Sequence, residues 1–271
     1  MADTTANHSN AKPDDSSDVE SVAGNQVQPR SELLRTYKVR LASSEAEVRT
    51  AQKLRFEVFN LELQEGLQSS FVTGLDADPF DAVCDHLLVE DLRIQSIVGT
   101  YRLQTGPQAA KHLGYYSAQE FDLSPYESRR HLMVELGRAC VHKDHRNLLV
   151  VGMLWKGISD YVNAHAARYL IGCSSLTSQD PRVGAAAYLE LQKRHLADPE
   201  FRTTPLPSCA CPLDQPLERA PKMPKLLAAY LSLGAKIAGP PAIDREFKTI
   251  DFLTLMDLHS ASPQVVRRYL S

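Results

Sequence analysis

The sequence predicts an α/β fold: a mixed central sheet with one bulged, splayed strand, flanked by helices. Two observations carry this reading. Segments of helical and alternating apolar period follow one another as helix, hairpin, strand, helix, strand, helix, strand. The stretch "VELGRACVHKDHRN" (134–147) also sets Glu135 and Arg138 around Gly137, inside what otherwise reads as a buried strand. In a regular strand those two side chains point to opposite faces. A bulge at the glycine shifts the alternation by one and turns both charges toward one cleft.

Each element follows from its residues. Positions 1–30 are Ser, Asp, Asn and Pro with little to bury, and are expected to be a disordered tail before a single domain over 31–271. "SSEAEVRTAQKLRFEVFNLELQ" (43–64) starts with capping serines and carries an apolar stripe, predicting an amphipathic helix on one sheet face. A polar loop (69–85) precedes "HLLVEDLRIQSIVGTYRLQT", which predicts two strands and a tight turn. After a long connection (105–131) come a strand at 131–142, a helix at 148–166 and a strand at 168–176. A helix at 183–196 and a proline-rich loop at about 199–224 follow. A helix ending near Gly234 and a closing strand at 247–258 complete the order.

The bulk numbers exclude several classes. A net charge of −3 gives no global basic field, so nucleic acid is not an expected partner. No stretch reaches the roughly 20 apolar residues of a membrane span, and the N-terminus has no apolar core. A cytoplasmic protein is expected, with contact at the inner face of the membrane left open. Five irregularly spaced cysteines fit reduced thiols. Cys209-Ala-Cys211 lacks a second pair, and His142 and His145 stand in one short loop, so no metal is expected.

The charged residues suggest chemistry. Glu135 and Asp81 are candidate bases, and Arg102 is the obvious partner for Glu135. Arg102 and Arg138 suit a substrate carboxylate, because a guanidinium grips carboxylates in two-pronged fashion. Arg55 precedes the acidic loop and is expected to clamp it. Phe56 and Phe59 read either as core or as apolar contacts to a substrate. "HKDHRN", with His142, Lys143, His145 and Arg146, leads into a helix whose first N–H groups are unpaired, a ready anion site.

The arrangement resembles the GNAT acyltransferase fold, although a leucine stands where the usual coenzyme A signature after Arg146 has its first glycine. "LRFEVFNLE", "DPFD", "VGTYRL" and "ELGR" follow one another as in acyl-homoserine-lactone (autoinducer) synthases. The fuller resemblance is to bacterial ornithine N-acyltransferases, the hemolysin-like lyso-ornithine lipid synthases. It runs through "GYYSAQEFDLSPY", "ELGRACVHKDHRN", "YLIGCSS", "LLAAYLSLGAKIAGPPAIDREFKTIDFLTLMDL" and the final "RRYL", from about residue 37 to the end. It implies transfer of a (3-hydroxy)acyl chain from the phosphopantetheine thioester of acyl carrier protein to the α-amine of ornithine, the first step of ornithine-lipid synthesis, with no other cofactor. His142, Lys143, His145 and Arg146 would then meet the carrier. By analogy with the wider fold, Tyr188 would protonate the leaving thiolate. Two alternatives stay open. One is acylation of glycine, tyrosine or another amino acid, including an autoinducer-type signal. The other is a non-catalytic acyl-carrier or membrane-binding protein.

Overall fold

The computed structural model describes residues 36–260, in which eight strands form one sheet. In chain order these are β1 (Tyr37–Leu41), β2 (Asp85–Asp91), β3 (Ser96–Thr105), β4 (Met133–Val141), β5 (Tyr169–Leu176), β6 (Lys236–Ile237), β7 (Ala242–Asp244) and β8 (Thr249–Asp257). The helices are α1 (Glu45–Phe56), α2 (Ser70–Thr73), α3 (Gly106–Lys111), α4 (Leu148–Ala164), α5 (Pro181–His195) and α6 (Lys225–Ser232). The sheet order is β1-β2-β3-β4-β5-β8-β6, with β7 also on β8. Only β4 and β5, joined through α4, run parallel; the sheet is therefore mixed. The expected tail and the "RRYL" block lie outside the described residues.

Three strands were not anticipated. β1 is a five-residue edge strand with a half-exposed pattern, and β6 and β7 hold two and three residues. None is long enough to show a period. The first helix also differs from expectation. Ser44 caps α1 by accepting from the Glu47 N–H, but past Phe56 the helix widens into a π-helical turn over Glu57–Glu62. There the Leu63 N–H reaches back to the Val58 carbonyl at 2.9 Å. Such widened turns re-aim side chains and concentrate at functional sites.

Helix α4 supplies much of one core layer. Val150, Leu154, Ile158 and Val162 are buried with Leu87, Val89, Leu103 and Val134 of the sheet. Each such side chain contributes about 2 kcal/mol relative to exposure. The helix comes close enough because residue 157 is glycine: a Cβ there would lie 2.6 Å from Leu87.

Two irregularities shape the sheet centre. The β3–β4 ladder pairs Arg102 with Gly137 and resumes only at Thr100 with Cys140, so Tyr101 faces both Arg138 and Ala139. This is a bulge, displaced one residue from its expected place. The left-handed residue is Arg138, at φ +54°, and not the glycine. An L residue held there costs on the order of 1–2 kcal/mol, offset by whatever fixes its side chain. The second irregularity is a fork. β4 and β5 pair only over Met133–Glu135 and Tyr169–Ile171, and then part. Gly172 sits at the crotch, where a Cβ would meet the Leu136 carbonyl oxygen at 2.2 Å.

Candidate active site

The fork opens into a cavity of about 440 Å³, within the usual range for a small-molecule site. Arg102 of β3, Glu135 and Arg138 of β4, Cys173 of β5 and Asp251 of β8 line it, with Tyr116, Phe59 and Leu226 from the surrounding elements. Glu135 and Arg138 thus share one cleft across the bulge.

One wall is a closed set of charges. Arg55, fully buried on α1, pairs with Asp76 at 2.8 Å and Asp81 at 2.6 Å. Arg102 pairs with Asp78 at 2.6 Å and Asp81 at 3.0 Å. Arg138 pairs with Asp78 at 2.8 Å and Asp76 at 3.3 Å. Three guanidiniums therefore meet three carboxylates of the 76–81 loop. The guanidinium of Arg138 also lies 4.1 Å from the Phe247 ring centroid and 4.8 Å from that of Tyr116, which anchors the strained bulge residue. Within this set Arg102 Nη2, buried against the cavity, has no hydrogen-bond partner.

Glu135 is satisfied differently from expectation. Its partner is not Arg102, whose hydrogen bonds go to the aspartates. The turn after α3 supplies the donors instead: Tyr116 N–H at 2.7 Å, Ser117 N–H at 2.8 Å and Ser117 Oγ at 2.7 Å. Burial pushes the Glu135 carboxyl up, and those donors oppose the shift. The fixed donors leave one lone pair of the four free.

Several other positions need correction. Burial pushes the Asp81 carboxyl up, but Arg55 and Arg102 outweigh it and hold it well below the usual carboxylate range. Asp81 is also absent from the cavity wall, so it is a poor proton acceptor and instead holds the arginines. Phe59 lines the cavity, whereas Phe56 turns away and packs edge-on against Phe71. Tyr188 packs on the apolar cluster of Leu176, Leu191 and Leu227, outside the cavity; Tyr116 is the tyrosine in its wall.

The basic loop divides in two. Arg146 lines the cavity but is paired with Glu62, at 2.7 Å from its Nη2. His145 bonds Tyr37 and, with His142, borders a separate groove near Glu47 and Glu90, while Lys143 is exposed. The expected anion site at the α4 N-terminus is filled by the chain itself. Asn147 Oδ1 accepts from the N–H groups of Leu149 and Val150 at 3.0 Å each.

Asp76, Asp78, Tyr116, Ser117, Glu120 and Asp251 were missed. Asp251 had a usable signal: a carboxylate inside the apolar run "TIDFLTLMDL" is as anomalous as Glu135 in its own strand. The cysteines are free, and Cys209 and Cys211 join different apolar clusters.

Comparison with known proteins agrees with this geometry. Residues 54–156 match the acetyltransferase (GNAT) domain family. Two solved structures superimpose with a TM-score of 0.50. One is FeeM, an N-acyl amino acid synthase from uncultured soil microbes, 10% identical, covering 86% of this chain and 94% of its own. The other is BjaI, a CoA-dependent acyl-homoserine lactone synthase, 12% identical, covering 85% and 86%. The forked sheet and the domain match give the chain a GNAT-type fold, and curated relatives at 31–36% identity over about 85% of it make it an N-acyltransferase. The L-ornithine N(alpha)-acyltransferase of Brucella abortus (strain 2308) is 36% identical over 248 residues, 85% of this chain and 88% of that protein. The chain belongs to the L-ornithine N(alpha)-acyltransferase family.

Proposed function

We propose that this chain moves a (3-hydroxy)acyl group from the phosphopantetheine thioester of acyl carrier protein to the α-amine of ornithine, opening ornithine-lipid synthesis. The observation that carries the reading is the bulge that brings Glu135 and Arg138 to one cavity at the β4–β5 fork. The name of the Brucella relative supports the acceptor and the position of the amide.

An α-amine with a pKa of roughly 8 is mostly protonated at neutral pH. Glu135 takes that proton, directly or through one water. The free amine attacks the thioester carbonyl carbon, and the C–S bond breaks as the amide forms. Backbone N–H groups of the bulge residues Arg138 and Ala139, which stand outside the one-to-one register with β3, polarise the carbonyl oxygen. Burial raises the Tyr116 hydroxyl, so it is protonated at neutral pH; it gives that proton to the leaving thiolate and regains one from the nitrogen as the amide forms. Arg102 Nη2, with Arg138 beside it, receives the substrate carboxylate.

Exposed Arg146 and Lys225 at the cavity rim suit a phosphopantetheine phosphate and an acidic carrier. No helix among the described residues is long and apolar enough to cross a membrane. A cytoplasmic enzyme touching the inner membrane face near exposed Leu226 of α6 is part of the proposal. The test incubates the protein with acyl carrier protein and coenzyme A thioesters of matched chains against a panel of amino acids, read by mass spectrometry. Acyl-ornithine formed chiefly from the carrier-bound chain is the expected product. Another acyl amino acid as the main product overturns the acceptor, and equal use of coenzyme A overturns the donor.

A further inference from the structure

The wall opposite the arginines is acidic and has no cation. Asp251, 96% buried by its 4% exposure, lines the cavity, and its Oδ1 has no hydrogen-bond partner. Glu120 lies behind it, 5% exposed, with Oε2 also unpartnered. Ligand atoms of Glu120, Cys173 and Asp251 lie within 4.8 Å of one another. Asp244 and Glu65 line the same wall. Among the described residues no lysine, arginine or histidine forms an ion pair with Glu120, Asp244 or Asp251. Arg102 and Arg138 are committed to the aspartates of the 76–81 loop, and Arg146 to Glu62. Burying carboxylates without a counter-charge is costly, so this wall is built to receive a cation that the chain does not supply.

The acidic wall is also connected to the reacting end. Cys173 Sγ donates to Ser117 Oγ at 3.5 Å, and Ser117 Oγ donates to Glu135 at 2.7 Å. Burial and the neighbouring carboxylates keep the Cys173 thiol protonated, which makes it a poor metal ligand and a usable spacer. The cavity is therefore polarised, with guanidinium on one side, Glu135 at the fork and carboxylates on the other side. A molecule with a carboxylate, a reacting amine and a second, distant ammonium matches that order.

We infer that Asp251 and Glu120 form the subsite for the side-chain ammonium of a basic amino acid acceptor, and so select a diamino acid over a neutral one. The inference rests on the acylation reading above and extends it to specificity. Burial pushes both carboxyls up, with Asp251 and Asp244 adding to it at Glu120 and Asp244 and Glu65 at Asp251, so the empty pair holds a proton that an arriving ammonium displaces. No covalent step is involved; two charge-assisted hydrogen bonds form.

The experiment compares kcat/KM for ornithine and for norvaline, which has the same carbon chain without the terminal amine, using one acyl carrier protein thioester. The wild type is expected to prefer ornithine by at least about a hundredfold, as a site with buried unpaired acceptors rejects an analogue lacking the donor. Asp251→Asn and Glu120→Gln should each cut that ratio at least about tenfold. Because the ratio is taken within one preparation, partial loss of folded protein cancels, and the wild-type ratio needs no variant. A wild-type ratio near one, or ratios unchanged in both variants, overturns the subsite while leaving N-acylation standing. Loss of ornithine preference on treatment with a chelator also overturns it, in favour of a bound divalent ion. If the wild type acylates neither amine, the acylation reading itself fails.

Discussion

Arg55→Met tests the charge set that holds the site. The wild-type wall sets three buried guanidiniums against Asp76, Asp78 and Asp81. Methionine fills most of the arginine stem volume, so the main change is one missing positive charge. Asp76 then keeps only Arg138 at 3.3 Å, and Asp81 keeps Arg102 at 3.0 Å and Gln52 at 2.9 Å. Removing one partner from a buried ion pair costs about 3–5 kcal/mol. In a chain of this size that lowers Tm by about 6–20 °C, at about 2–4 °C per kcal/mol. Asp81→Asn in the same background removes the surplus charge and should recover a substantial part of the loss. The sign with pH follows from Asp81. Its depressed carboxyl contributes stability above its ordinary value of 3.8 and loses it as pH falls further. The wild-type advantage should therefore shrink at acid pH. Thermal denaturation of the three proteins, followed by circular dichroism, reads all of this. A shift under about 3 °C for Arg55→Met, or an Asp81→Asn change that adds to the loss, would refute the reasoning.

Three further outcomes follow. Glu135→Gln should keep the fold, because the Ser117 N–H and hydroxyl still meet the amide oxygen and the Tyr116 N–H alone loses its acceptor, and lower amide formation at neutral pH at least about tenfold; unchanged turnover removes Glu135 as the base. Gly172→Ala must move the Leu136 carbonyl from a 2.2 Å clash, costing about 1–3 kcal/mol and raising KM for the acyl donor; a neutral change in both Tm and KM contradicts the close approach. Glu120 is pushed up to about 10 by burial and by Asp251 and Asp244. A raised carboxyl contributes stability that is present below its ordinary value and lost as pH rises toward the folded value. Glu120→Gln should therefore gain on the wild type between pH 5 and pH 8, by at most about 1.4 kcal/mol per pH unit, and a pH-independent offset would contradict this.

The sequence revealed the architecture where apolar period was long enough to read. β2, β3, β4, β5 and β8 alternate or run apolar over seven residues or more, and α4 repeats its apolar face through four turns. β6 and β7 exist only because β8 offers an edge to them, a tertiary cause with no local trace. Within the site, Glu135 and Arg138 were legible as charges inside a strand. Their partners were not, because a loop aspartate such as Asp78 carries no period that says which arginine it meets. The same gap hid the reversal at residue 138: glycine is the expected left-handed residue, and an arginine takes the conformation because Asp78, Asp76, Tyr116 and Phe247 hold its far end. Tyr188 was expected only by analogy with the wider fold, and it packs on an apolar cluster outside the cavity, where Tyr116 stands instead.

The most direct measurement is a crystal structure of the protein with ornithine and a non-transferable acyl-phosphopantetheine thioether. The account predicts the pantetheine arm between β4 and β5, the ornithine carboxylate about 3 Å from Arg102 Nη2, and its α-nitrogen facing Glu135. Strands β4 and β5 closed on each other, with the ligands bound elsewhere, would contradict it.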